Sequence, residues 1–299
     1  MFEMDHSDAA LQSKRRRIRW LWRACLGLFL IWIAGAVALQ TPGARDLREP
    51  IQRSKILRQL NTVLPPSGAI LKALARFDPF PAIRGPAANV PPPNAQIARD
   101  PDVAAAGRSV VKVLGTACGL GVQGSGWIAG NGLVVTNAHV VAGQEDTTVQ
   151  LHGEGPLLDA EAVWYDSKND LAILRVPGLA GAPRLSLHVN AEPGTSGAVL
   201  GFPENDGYDV EPARLGQTAI VITQDSYGRG PVQRLITSVR GRVRHGNSGG
   251  PVVDGSGRVV ATIFAAPTGR QRAGYGVPDS VVQRALGRLR GRVSTGPCA

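Results

Sequence analysis

The sequence predicts an all-β domain, a sandwich or a barrel, running from about residue 109 to the end of the chain and preceded by a tether. Three observations carry this. Short apolar runs of about 4–8 residues recur between clusters of Gly, Asn and Asp, the rhythm of strands and tight turns. The 37 glycines spread along the C-terminal two-thirds instead of gathering in one loop. Only one stretch of that region, close to its end, has helical periodicity.

The tether comes first. Lys14-Arg15-Arg16-Arg17-Ile18-Arg19 precedes an apolar run of 20 residues, Trp20 to Leu39, whose one charge is Arg23. That length suits a membrane-spanning helix. Arg23 lies near enough to the start to snorkel, and Trp20 and Trp22 suit an interface. The basic flank predicts a cytoplasmic tail over 1–19, a span over 20–39 and export of everything beyond. Ala36-Val37-Ala38 offers the alternative, a cleaved signal peptide; the apolar run exceeds the usual core of about 7–15 residues, which favours a retained anchor in the cytoplasmic membrane.

Residues 40–103 read as stalk and linker. Ile51, Ile56, Leu57, Leu60, Val63 and Leu64 fall at helical spacing, and Ile70, Leu71 and Leu74 allow a second short helix. From Pro79 to Asp102 the prolines at 79, 81, 86, 91, 92, 93 and 101 predict an extended linker of polyproline II type.

Residues 104–299 are then the globular domain. Strands are expected at 109–115, 124–130, 131–141, 147–153, 158–166, 170–176 and 197–203. A second series follows at 216–225, 233–239, 249–255 and 258–266. Asp279 or Ser280 can cap a terminal helix carrying Val282, Leu286 and Leu289.

Charge narrows the partners. The chain holds 33 basic and 23 acidic side chains, of which 15 and 8 fall in residues 1–107, leaving 18 and 15 for the rest. The globular part is thus only mildly basic, which argues against nucleic acid, whose phosphates need a concentrated basic face.

"RHGNSGGPVV", Arg244 to Val253, sets Ser248 among three glycines, Gly246, Gly249 and Gly250. Such a turn presents the hydroxyl and aims backbone N–H groups. A serine hydroxyl attacks poorly unless a base takes its proton, so a histidine and an orienting carboxylate are expected elsewhere. "TNAHVVAG" supplies His139 after an apolar strand. "YDSKNDLAIL" supplies Asp170 at the opening of another. His6, His152, His188 and His245 have no such setting, although His245 is three residues from Ser248, and Asp166 is the rival acid. The order His139, Asp170, Ser248 is that of the chymotrypsin-type triad, not of subtilisin or the α/β-hydrolases.

"TNAHVV", "DLAIL" and "GNSGGP" together resemble the three signature blocks of trypsin-like serine proteases in their bacterial HtrA/Deg form, with spacings of 31 and 78 residues. The resemblance covers Ser109 to about Arg290. It implies two perpendicular six-stranded β-barrels followed by a C-terminal helix, with His139 and Asp170 from the first barrel and Ser248 from the second. It also implies an oxyanion hole from the N–H groups of Gly246 and Ser248, and a substrate pocket bordered by Phe264, Ala265 and Ala266, with Tyr275 and Gly276 opposite. The segment from Arg234 to Asn247 has no acidic residue, which argues against a preference for Arg or Lys. Arg240, Arg242 and Arg244 are either solvated or favour an acidic or small apolar side chain.

About ten residues follow the expected terminal helix, too few for the PDZ domain usual in HtrA proteins. The membrane segment, the stalk, "GSGW" and a cysteine at each end of the domain instead resemble the actinobacterial membrane-anchored acid-resistance serine proteases of the MarP type. Those carry a several-helix membrane module where this chain has one span, which separates it from functions tied to that module. Cys118 and Cys298 flank the domain in an oxidising compartment, where disulfides persist. The resemblance implies that they pair; the alternative is two free thiols. The bond would close a loop of about 180 residues, worth roughly 5 kcal/mol in the chain-entropy model.

The expected function is therefore a membrane-tethered extracytoplasmic serine endopeptidase of envelope, acid or oxidative stress. It would act on protein or peptide, with no cofactor and no metal, since no ligand spacing of Cys or His is visible. The competing expectation is an envelope-sensing scaffold that keeps a protease fold without cleaving. Oligomeric state has no signature in the sequence.

Overall fold

The computed structural model describes Arg23, Gly27, residues 85–265 and residues 273–298. The expected span over 20–39 thus lies outside the described residues except for Arg23 and Gly27, both helical; the stalk lies outside them too. Among the described residues no helix is long and apolar enough to cross a membrane. The chain divides into two units, Met1–Ile51 with Cys118–Leu120, and Gln52–Ala117 with Gly121–Ala299. The second holds the sheets described below. In the first, Cys118 and Gly119 form a turn with both φ angles positive, at 49° and 77°.

Among the described residues thirteen strands and a terminal helix form the domain. The first sheet contains β1 (Val110–Ala117), β2 (Leu120–Gly130), β3 (Leu133–Thr136), β4 (Thr148–Leu151), β5 (Leu158–Asp159), β6 (Glu161–Asp166) and β7 (Leu171–Arg175). Their order across the sheet is β5-β4-β1-β2-β3-β7-β6. The second comprises β8 (Ser196–Gly201), β9 (Asp209–Thr223), β10 (Val232–Gly241), β11 (Pro251–Asp254), β12 (Val259–Ala265) and β13 (Ala273–Pro278), a closed barrel in the order β10-β13-β12-β11-β8-β9.

The expectation of two six-stranded barrels is thus met in the second half and corrected in the first, which is a seven-stranded sheet. The cause is local. The run 158–166, expected as one strand, breaks at Ala160. Leu158–Asp159 pairs with β4 and Glu161–Asp166 pairs with β7, so one short run supplies both edges. The sheet curls until a single residue separates those edges, and the break between them keeps the strand count at seven.

Several elements differ from expectation. The run 131–141, expected as one strand, ends at Thr136, and Ala138–Val141 forms a short helix. β13 was hidden by Gly274, Gly276 and Pro278, residues that weaken a strand signal. Near the start, a 3-10 turn over Ala95–Arg99 leads into helix α1, Pro101–Gly107. Asp100 caps α1 by accepting from Asp102 N–H, and Pro101 occupies the first position, where its missing N–H costs nothing. Val103 is fully buried and Ala106 nearly so. The extended linker expected through residue 103 therefore ends earlier, and the folded domain begins before residue 104. Upstream, Gly85 N–H donates to the Tyr275 hydroxyl at 3.1 Å, Arg214 reaches the Pro92 carbonyl at 3.3 Å, and Arg240 reaches that of Val90. The segment is strapped along the barrel.

The main core joins the two halves. Trp127, Val135, Leu171 and Ile173 from the first sheet pack with Leu200, Ile236 and Phe264 from the barrel. Trp127 Nε1–H donates to Thr262 Oγ1 at 3.1 Å, satisfying a fully buried indole. A four-residue helix α2, Ala138–Val141, follows β3, and helix α3, Asp279–Leu286, closes the chain's regular structure. Val281, Val282 and Ala285 bury its inner face.

Candidate active site

His139 sits in α2, immediately after the buried strand β3. Val140 and Val141, the next two residues of that helix, are buried, which fixes how the imidazole projects. Asp170 precedes β7 in a left-handed conformation, φ 56°, that non-glycine residues rarely adopt. Two contacts hold it there. Asn137 Nδ2 donates to the Asp170 carbonyl at 2.9 Å. Asp166, four residues earlier, accepts from Asn169 N–H at 3.1 Å and from its amide at 2.6 Å. Asp166, the rival acid, thus caps the turn that presents Asp170.

The carboxylate grips His139 twice. His139 Nδ1–H donates to Asp170 Oδ2 at 2.7 Å, and the His139 backbone N–H donates to Oδ1 at 3.0 Å. With its proton on Nδ1, a neutral imidazole keeps its lone pair on Nε2, the nitrogen a general base uses. Burial opposes the Asp170 charge, but His139, through its charge and both hydrogen bonds, outweighs it, with Arg234 assisting; the carboxyl is held below the usual range.

Ser248 lies in the turn between β10 and β11 and is 8% exposed. Its carbonyl accepts from Ser125 N–H at 2.8 Å, while Ser125 Oγ donates to the Gly246 carbonyl at 2.6 Å and accepts from Phe202 N–H at 2.9 Å. Thr136, three residues before His139, donates to the Ser125 carbonyl at 2.8 Å. Ser125 therefore latches the Ser248 turn to the strand that leads into His139. Sequence reasoning quoted this residue only as part of "GSGW"; a serine inside an apolar strand was the available signal.

Backbone amides in this turn divide into two sets. Asn247, Gly249 and Gly250 donate to the carbonyls of Arg244, Ile263 and Asn247 at 3.1, 2.7 and 2.9 Å. Among the described residues the amides of Gly246 and Ser248 have no such partner. They are the pair expected as an oxyanion hole. Gly246 has φ 89°, and a Cβ there would strike the Phe202 carbonyl. Gly249 has φ 84°, and a Cβ there would strike the Ser125 carbonyl and Thr136 Oγ1. Both positions need glycine on conformation and on space.

The remaining expected site residues divide. Phe264 and Ala265 are buried in the main core at 2% and 5% exposure, and Tyr275 packs with them. Ala266 lies outside the described residues. β12 meets the Ser248 turn through the Gly249–Ile263 bond and the return bond from Ile263 N–H to the Gly250 carbonyl at 2.9 Å. Arg244 is tied to Asp209 and to Glu211, the latter at 2.9 Å, and Arg242 stands 3.9 Å from Glu211. These arginines answer carboxylates of their own barrel. His245 is exposed. Cys118 and Cys298 are both disulfide-bonded.

A two-sheet β fold, a buried carboxylate–imidazole pair and a latched serine turn with two spare amides define the trypsin-like serine proteases, and this chain belongs to that family. Residues 124–261 match the trypsin-like peptidase domain. Serine protease Rv3671c of Mycobacterium tuberculosis is 31% identical over 281 residues, covering 89% of this chain and 70% of that one. The crystal structure of the Rv3671c protease in its active form superimposes with a TM-score of 0.67 at 33% identity, over 73% of this chain and 98% of that one. A probable periplasmic DegP-like serine endoprotease of Halomonas elongata is 32% identical over 181 residues, 58% of this chain and 36% of that one. The chain is a serine protease, and its likeness to the MarP-type enzymes extends over most of its length.

Proposed function

We propose that this chain is a membrane-tethered, extracytoplasmic serine endopeptidase acting through His139, Asp170 and Ser248. The observation that carries the reading is the doubly hydrogen-bonded His139–Asp170 pair beside a serine turn with two unspent amides. His139 Nε2 takes the Ser248 proton as Oγ attacks the scissile carbonyl. The negative charge that develops on the carbonyl oxygen is met by Gly246 and Ser248 N–H, each donor of this kind being worth about 2.7–4 kcal/mol. The C–N bond then breaks, the amine leaves with the proton from His139, and water hydrolyses the acyl-enzyme by the same relay. Asp170 fixes the imidazole tautomer and stabilises the imidazolium. Phe264 and Ala265 at the end of β12, with Ala266 next in sequence, border the substrate pocket on this reading, supported by the hydrogen bonds of the preceding Ile263 to Gly249 and Gly250.

The apolar run over 20–39 supports a tether with the protease domain outside the cytoplasm, consistent with relatives named periplasmic. We assign the Cys118 and Cys298 half-cystines to each other, and the enzyme to envelope, acid or oxidative stress. The test is a fluorophosphonate probe on the full chain in detergent. Labelling at Ser248, located by peptide mass and absent in Ser248→Ala, is expected; a folded chain that takes no label supports the non-cleaving scaffold instead.

A further inference from the structure

Among the described residues one buried arginine is not used by the mechanism above. Arg234 lies on β10 between exposed Gln233 and half-buried Leu235, in phase with buried Ile236 and Ser238. It faces inward and is 4% exposed. Arginine is almost never buried to this degree unless it is paired. Its guanidinium lies 4.5 Å above the centre of the Phe264 ring, a cation–π arrangement. Nη1 donates to the Lys168 carbonyl at 3.4 Å, in the turn that ends at Asp170. Among the described residues Nε has no hydrogen-bond partner and the guanidinium forms no ion pair. Asp225, another carboxylate whose field reaches Arg234, is paired with Arg229 at 3.2 Å.

The charge is therefore held behind the catalytic acid, and contact with a carboxylate does not cancel it. Asp170 is the first of the three carboxylates whose field it feels, before Asp225 and Asp166. Burial of an unpaired cation is costly, and a methionine would fill the space without that cost. The hydrogen-bonded partner of Asp170 is His139, which must become a cation during catalysis. Tyr165 from β6 also feels the Asp170 charge, and burial raises its phenol well above the ordinary value, so it stays neutral.

We propose that Arg234 is a positioning residue of the triad: a buried cation, seated on Phe264 and the Lys168 carbonyl, that keeps Asp170 ionised and extends the working range of the His139–Asp170 pair towards acid. This rests on the triad reading of His139, Asp170 and Ser248. A positive charge in a low-dielectric site favours the carboxylate, so Asp170 keeps its charge and its hold on the imidazole to lower pH. Removing it should move the acid limb of the rate profile upward and leave the plateau much less affected.

The test measures the rate of fluorophosphonate labelling of Ser248 on the full chain between about pH 4 and 8, which reads the nucleophile without needing a substrate. The variants are Arg234→Met, Arg234→Gln and Arg234→Lys. Both neutral variants are expected to shift the acid limb upward by about half a pH unit or more, roughly a threefold loss on that limb. Arg234→Lys should restore the wild-type limb. Arg234→Gln keeps a donor for the Lys168 carbonyl and decides the question if the Met chain fails to fold. A folded neutral variant whose limb superimposes on wild type overturns the proposal, as does a Lys variant shifted as far as Gln. Ser248→Ala tests the triad reading separately: label retained on that variant, or absent from wild type, removes the foundation of both.

Discussion

Replacing Asp170 with asparagine should abolish most activity while leaving the fold in place, and the reason can be worked from two hydrogen bonds. The carboxylate accepts from His139 backbone N–H with Oδ1 and from His139 Nδ1–H with Oδ2. An asparagine in the same pose has one acceptor only. The backbone N–H cannot turn away, so it claims the amide oxygen, and the NH2 group must face Nδ1. Nδ1 is then forced to accept, the ring proton moves to Nε2, and Ser248 loses its base. A tautomer trap of this kind costs about 10⁴ in kcat, or roughly 5.5 kcal/mol of transition-state stabilisation. Labelling and peptide-cleavage rates on wild type and Asp170→Asn measure it. Activity within tenfold of wild type, in a folded chain, would refute the reasoning. Stability carries a second signature. A carboxyl whose folded-state pKa is depressed contributes stability that is present above its unfolded value, about 3.9, and lost as pH falls through the folded one. The stability gap between wild type and Asp170→Asn should therefore be widest above about pH 4 and close as the medium becomes more acid.

Three other substitutions probe the scaffold. Ser125→Ala removes the donor to the Gly246 carbonyl and the acceptor for the buried Phe202 N–H, and should cost about 1–3 kcal/mol in chemical denaturation together with a fall in kcat. Gly249→Ala forces a Cβ into the Ser125 carbonyl at a positive φ; a lowered Tm and loss of labelling are expected, and a variant as stable as wild type would contradict the geometry. Cys298→Ser should lower stability by about 2–5 kcal/mol. The tail it releases is docked on the loop after His139, where Gly143 N–H donates to the Thr295 carbonyl at 3.3 Å and Thr295 Oγ1 to that of Gln144 at 3.2 Å, so labelling should fall as well.

The parts of this protein that were readable in the sequence are those whose signal is local. Each triad candidate sits at a strand end inside a short motif, and the strands of the barrel other than β13 came from runs whose turns are marked by glycine, while its closure was implied by the family resemblance. What could not be read depends on non-local partners. The division of 158–166 into two edges exists only because β4 and β7 lie on opposite sides of the sheet. Helix α1 was masked by the prolines before it, although Asp100 and Pro101 formed a capping signal. The disulfide state of Cys118 and Cys298 followed from compartment, whereas nothing in composition distinguished Ser125 from any strand serine. Arg234 illustrates the limit most clearly. Its inward phase with Ile236 was available, but a lone arginine opening a strand reads as solvated until Phe264 is seen beneath it.

The central claim is that Ser248, His139 and Asp170 form a competent peptide-cleaving site. Its most direct test is mass spectrometry of an unstructured protein incubated with the full chain, as wild type and as Ser248→Ala, with and without reductant. Discrete cleavage by wild type alone is predicted, with weaker cleavage under reductant, and the cut sites would define the pocket. Equal cleavage by both chains, or none by a folded wild type that also resists the fluorophosphonate, would contradict it.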